Sequence, residues 1–200
     1  QASGGPAANA HRVQQEVVVF EHPGGDWQAA AVEKRKMLQR HVQCTLGQCP
    51  GGKLLVFVNT RRDAEEICQQ LSASGYQAAS VHGGVHWSRR PEAIDQLRRG
   101  TVRVLVTTSA IGPGTETPSV SHVVIYDFMG YTVENYVDSV GRASGGDGIA
   151  GHALTFFEFD ADRPSSASEL AAELERTGQP VPRELRRLAR QAQGLPAPGC

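Results

Sequence analysis

Three short segments of this chain are apolar at nearly every position: Lys53–Val58 (KLLVFV), Arg103–Thr107 (RVLVT) and His122–Tyr126 (HVVIY). A strand with one wet face alternates apolar and polar residues, whereas a strand covered on both faces reads as a continuous apolar run, the habit of a parallel sheet. Parallel neighbours need crossovers long enough to hold a helix, and the intervening segments carry helical patterns. Thr60-Arg-Arg-Asp63 has the spacing of a helix start, Ala64, Ile67, Cys68 and Leu71 follow at i, i+3, i+4 and i+7, and Gly75 ends the pattern. Asp26 is expected to cap a long helix with Ala31, Leu38, Val42 and Leu46 on one face, and Ser88 a helix with Ile94 and Leu97 that stops at Gly100. Thr132 opens a short helix, and two more run from Ser166 to Gly178 and onward from Pro182. Gln15–Glu21, Tyr76–Val81 and His152–Phe159 complete six predicted strands. The expected fold is α/β, a three-layer domain with a mostly parallel sheet of six or more strands and right-handed crossovers.

At 200 residues the chain is long enough for one domain with a real core. Residues 1–12 read as a linker, 13–192 as the domain and 193–200 as a flexible tail. No apolar run approaches the ~20 residues a membrane span needs, so no membrane partner is expected. Four cysteines do not form a secreted scaffold and point to a reducing compartment, the cytoplasm with the nucleus as alternative. A start at Gln1 instead of Met is expected of a piece of something larger.

In sheets of this kind ligands bind outside the C-terminal strand ends. The polar and glycine clusters fall there: Asn59-Thr60, His82-Gly83-Gly84, Thr107-Thr108-Ser109 and Asp127. Turn chemistry would put small polar residues at the same places. Two phosphate-binding look-alikes fail on context. Gly47–Lys53 lacks the final Ser/Thr of a phosphate loop and precedes a strand instead of following one. Gly146–Gly151 matches G-x-G-x-x-G but lies after a helix and before a strand. His41, Cys44 and Cys49, or His82 and His86, make no metal-ligand spacing, so no metal site is expected.

Taken in order, the segments resemble the second RecA-like domain of DEAD-box RNA helicases, within them the Vasa-like branch. Phe57–Thr60 is similar to motif IV, Val81–Gly84 to motif IVa, Val104–Ser109 to the start of motif V, and His122–Asp127 to the family's HVINYD. Tyr136-Val137 and Gly141-Arg142 stand where motif VI has YVHRIGRTGR, and Gly178–Pro182 resembles the ending GQxVP. The resemblance implies an RNA-dependent ATPase whose fragment here is inactive alone, with RNA and an N-terminal RecA-like domain as partners, protein regulators besides, and ATP with Mg2+ shared between the two domains. It implies RNA contacts at Asn59, Thr60, Gly83, Thr107 and Thr108, ATP contacts at Gly114, Glu116 and Arg142, and a catalytic arginine finger in Arg142.

Departures gather at the ATP-facing motifs. Asp138-Ser139 replaces a His-Arg pair, Gly145 replaces the last Arg of motif VI, and Pro113 replaces an Arg of motif V. Residues 112–150 hold five acidic residues and one Arg, while residues 81–110 are net +3. Arg183, Arg186, Arg187 and Arg190 form a second basic cluster. These departures raise an alternative reading: a degenerate helicase domain that binds RNA or protein without ATP turnover.

Overall fold

The computed structural model describes residues 12–21, 27–49, 51–86, 89–108, 118, 120–143, 151–159 and 162–194. In chain order these form β1 (Gln14–Phe20), α1 (Trp27–Gln48), β2 (Leu54–Phe57), α2 (Arg61–Ala73), β3 (Ala78–Val81), α3 (Arg90–Arg99), β4 (Val104–Thr107), β5 (His122–Ile125), α4 (Val133–Val140), β6 (His152–Glu158), α5 (Ser165–Arg176) and α6 (Arg183–Ala192). The strands make one sheet in the order β1-β6-β5-β2-β4-β3. Every pairing is parallel, so the expected "mostly parallel" sheet is parallel throughout.

The apolar runs are buried on both sides. Leu55, Phe57, Leu105, Val123 and Ile125 pack with Leu97 of α3, Tyr136 and Val140 of α4, Leu170 and Leu174 of α5, and Leu185 and Leu188 of α6. Leu54, Val56, Val104, Val106, Val124 and Leu154 turn the other way, onto Leu38 and Val42 of α1 and Ala64, Ile67 and Leu71 of α2. Strand period two thus sorts one sequence run into two cores, giving helix, sheet and helix in three layers. Edge strand β1 is held by Gln179, whose Oε1 accepts from the Gln15 amide at 2.9 Å and whose Nε2 donates to the Val13 carbonyl at 3.1 Å.

Some expected boundaries shift for identifiable reasons. β3 starts at Ala78, not Tyr76, because the Tyr76 amide bonds back to Leu71 after Gly75 turns the chain at φ 88°. The buried stripe of α1 runs through Ala30, Lys34, Leu38, Val42 and Thr45, with Leu46 partly buried against the same core and Ala31 at its margin. Arg89 is the N-cap of α3 with no side-chain cap, and Pro182 is the N-cap of α6 instead of its first residue. Asp26 and Ser88 lie outside the described residues, as do most of the expected linker and tail. The Gly47–Lys53 segment is a helix-ending turn, with Cys49 N–H on the Thr45 carbonyl and Gly52 N–H on the Cys49 carbonyl.

Candidate functional site

The C-terminal edge of the sheet gathers the chain segments that leave β2, β3, β4 and β5. After β2, the Asn59 side-chain amide donates to the Met129 carbonyl at 2.6 Å, and its backbone N–H to Asp127 Oδ2 at 3.4 Å. Thr60 caps α2: its Oγ1 accepts from the Asp63 amide at 3.0 Å and donates to the Asp63 carboxylate. After β3, buried His82 accepts the Gly84 N–H at Nδ1, 3.2 Å away, and its Nε2 faces Glu65 at 3.2 Å. Gly83 is exposed, with the Arg61 guanidinium beside it: a Cβ there would stand 3.2 Å from Nη2. An open groove of about 740 Å³ runs past Glu65, His82, Gly84, His86 and Arg89.

After β4, Thr107 is fully buried and its hydroxyl donates to the Thr108 carbonyl at 2.8 Å, so Thr107 closes the strand from inside. Thr108 next to it is 8% exposed, and its amide reaches the Val81 carbonyl, tying the ends of β3 and β4 together. After β5, Asp127 receives an ammonium that periodicity did not single out. Lys34 of α1, 4% exposed, places Nζ 2.6 Å from Asp127 Oδ1 and 3.0 Å from Glu158 Oε2, and 4.6 Å from the centre of the Tyr126 ring. Burial raises the Asp127 carboxyl pKa, and the Lys34 charge and hydrogen bond oppose that rise. The signal was present: Ala30, Lys34, Leu38 and Val42 are spaced by four residues, which put a lysine in the middle of a buried stripe.

Arg142 does not join this edge. It follows α4, beside Ala143, which bridges to Val120 just ahead of β5. Its side chain is 2% exposed, and Nη2 lies 2.9 Å from Asp138 Oδ2, one helical turn back. Gly114, Glu116, Pro113 and Gly145 lie outside the described residues, as does the Gly146–Ala150 part of the glycine-rich loop. Gly151 is packed so tightly that a Cβ would fall 2.1 Å from the Ala143 carbonyl oxygen.

The fold also redistributes the charges counted along the sequence. Of the five arginines in 81–110, Arg89 and Arg90 start α3 at the C-terminal edge. Arg103 precedes β4 and donates to the carbonyls of Gly52 and Cys49 at the opposite edge. Arg98 and Arg99 end α3 on that same opposite side and pair with Asp95. The acidic stretch is likewise partly neutralised, Asp127 by Lys34 and Asp138 by Arg142.

The model of the helicase conserved C-terminal domain matches residues 33–144. The chain belongs to that family. It is 31% identical over 161 residues to the ATP-dependent RNA helicase DBP2 of Candida albicans, covering 80% of this chain and 28% of that protein. The chain spans under a third of the length of the first curated relatives it matches. Among solved structures, the RNA-helicase Prp28 from Chaetomium thermophilum bound to ADP aligns with TM-score 0.68 and 29% identity, over 88% of this chain and 40% of that one. The C-terminal domain of the DEAD-box protein Dbp5 aligns with TM-score 0.65 and 25% identity, over 85% and 88%. The fold is that of the RecA-like C-terminal domains of DEAD-box proteins.

Proposed function

We propose that the helicase C-terminal domain in this chain is the second RecA-like half of an ATP-dependent RNA helicase of the Vasa-like branch. It lends RNA-phosphate contacts and one wall of an ATP site to a partner N-terminal RecA-like domain, and turns over no ATP alone. The observation that carries this reading is the convergence of Asn59-Thr60, Gly83 and Thr108 on one edge of a parallel sheet, where such folds bind ligands. An exposed glycine beside the Arg61 guanidinium lets a phosphate approach the backbone with a cation at hand. The buried Thr107 hydroxyl supports the strand end, and Thr108, 8% exposed beside it, is the residue assigned to an RNA phosphate. The Arg142 guanidinium serves the γ-phosphate from its own flank, Gly114 and Glu116 are assigned ATP contacts from the family resemblance, and Mg2+ accompanies the triphosphate.

The test joins this chain to a competent first domain of the family and reads RNA binding and RNA-stimulated ATPase separately. Gly83→Ala meets only the movable end of Arg61 and keeps the fold, and it is expected to weaken RNA binding with a reduced salt dependence. Arg142→Ala is expected to cost about 10³-fold in ATP turnover with RNA affinity retained. RNA affinity unchanged by Gly83→Ala and Thr108→Ala together would remove the RNA assignment.

A further inference from the structure

Opposite the edge just described, three histidines from three elements meet. His122 and His152 are the first residues of β5 and β6 and stand side by side in the parallel register. Each shares strand parity with the residue two further on, Val124 and Leu154, which pack toward α1. His41 of α1, returning antiparallel over that face, drops between them, and all three ring-to-ring distances are 5.4 Å. One ligand nitrogen from each ring falls within 4.8 Å of the other two.

The surrounding hydrogen bonds decide which nitrogens are available. Ser121 Oγ donates to the Lys53 carbonyl at 2.9 Å, so its contact with His122 Nδ1 at 3.0 Å must be an N–H donated by the ring. The His122 lone pair is then on Nε2. His152 Nε2 faces the Glu16 carboxylate at 3.5 Å, which favours the proton there and leaves the lone pair on Nδ1. That Nδ1 is buried without a hydrogen-bond partner, and so is His41 Nε2. A buried ring nitrogen without a partner is costly, and two of them in one cluster leave room for an ion that would take their lone pairs.

We infer that His41, His122 and His152 form a binding site for a divalent first-row transition metal, with Zn2+ as the reference ion. Three imidazoles from two strands and a helix are a zinc donor set that leaves a coordination position for water. Zinc–nitrogen bonds of about 2.0 Å place tetrahedral ligand nitrogens about 3.3 Å apart, so each ring closes inward by less than about 1 Å. Glu16 and Ser121 act as the outer partners that orient His152 and His122. The site lies about 10 Å along α1 from Lys34, seven residues away, and would clamp α1 to the start of β5 and β6.

The experiment uses the tag-free chain, stripped with EDTA and titrated with Zn2+ by calorimetry and with Co2+ by absorption. The expected result is one equivalent bound, a nitrogen-only Co2+ spectrum without thiolate charge-transfer bands, and a higher Tm with Zn2+. His41→Ala and His152→Ala should each weaken binding by more than about 10-fold, Glu16→Ala by about 10-fold, and Cys44→Ser with Cys49→Ser should leave it unchanged. Absence of stoichiometric binding, thiolate bands in the Co2+ spectrum, or full affinity in folded His41→Ala and His152→Ala would overturn the assignment. Should the histidine variants not fold, the wild-type Co2+ spectrum alone decides between imidazole and thiolate ligands.

Discussion

Replacing Lys34 by Met tests the cation that organises the ends of β5 and β6. The ammonium is 5% exposed as a side chain and sits between carboxylates that are 16% and 12% exposed, so solvent screens it little. Met keeps most of the apolar stem of the lysine and removes the ammonium with its charge and its two hydrogen bonds. Breaking a buried pair by deleting one partner costs about 3–5 kcal/mol, because the surviving charge is left uncompensated. Two carboxylates are stranded here, which favours the upper part of that range at neutral pH. At about 2–4 °C per kcal/mol for a domain of this size, Tm should fall by roughly 6–20 °C. The pH dependence has a definite sign. Burial raises the Asp127 pKa in the folded state, so this group's contribution to stability is present below the ordinary carboxylate value and is lost as pH rises through the raised one. With Lys34 gone only the Asn59 amide opposes the rise, so the penalty of Lys34→Met is largest at pH 7 and shrinks as Asp127 takes up a proton. Urea denaturation of the isolated chain at pH 7 and near pH 5 measures both. Adding Asp127→Asn should recover part of the loss, the mark of two coupled sites. A penalty under about 1 kcal/mol, independent of pH, is what an exposed ion pair gives and would refute the buried triad.

Gly151→Ala drives a methyl group to 2.1 Å from the Ala143 carbonyl oxygen, a clash with backbone that cannot rotate away. Urea titration should show a loss of about 1–3 kcal/mol. Gln179→Ala strips the Gln15 amide and the Val13 carbonyl of their partners. An unsatisfied donor costs about 1–3 kcal/mol, and hydrogen exchange should quicken at β1 more than at the central β2.

The architecture was legible because its strands announce double-sided burial. Leu54–Phe57, Val104–Thr107 and His122–Ile125 have no polar face apart from their ends, and only a covered parallel sheet accepts them. What escaped sequence reading shares one physical cause: it depends on how elements meet, not on any element alone. Lys34 breaks an otherwise apolar stripe, and its meaning appears only when Asp127 and Glu158 come to its tip. The three histidines are 30 or more residues apart in sequence and meet only through strand register and the return of α1. The net +3 counted over residues 81–110 is divided in space because α3 runs antiparallel to the strands, carrying Arg98 and Arg99 away from Arg89 and Arg90. Charge counted along a chain carries no information about which end of a helix holds it.

The same lesson gives the changed motif VI a sharper meaning. Asp138 stands where the family pattern has a His, and the structure pairs it with Arg142 at 2.9 Å. Beside an arginine that the resemblance assigns to phosphate, an acidic residue looks, from sequence, like a loss of positive potential. In the fold it is an ion-pair partner one turn away, and under the proposed function it is a competitor that the guanidinium must leave before reaching a γ-phosphate. Asp138→Asn keeps the side-chain shape and removes the competing charge. Stability of the isolated chain should fall by about 1 kcal/mol, since a helical i,i+4 pair with one buried partner is weakened. Under the proposed function, ATP turnover by the two-domain fusion should rise several-fold, because the Asp138 carboxylate no longer competes for the guanidinium. Opposite signs in stability and turnover are the signature of competition. If both fall together, Asp138 holds Arg142 in its working position, and the substitution in motif VI is a positioning device instead of a brake.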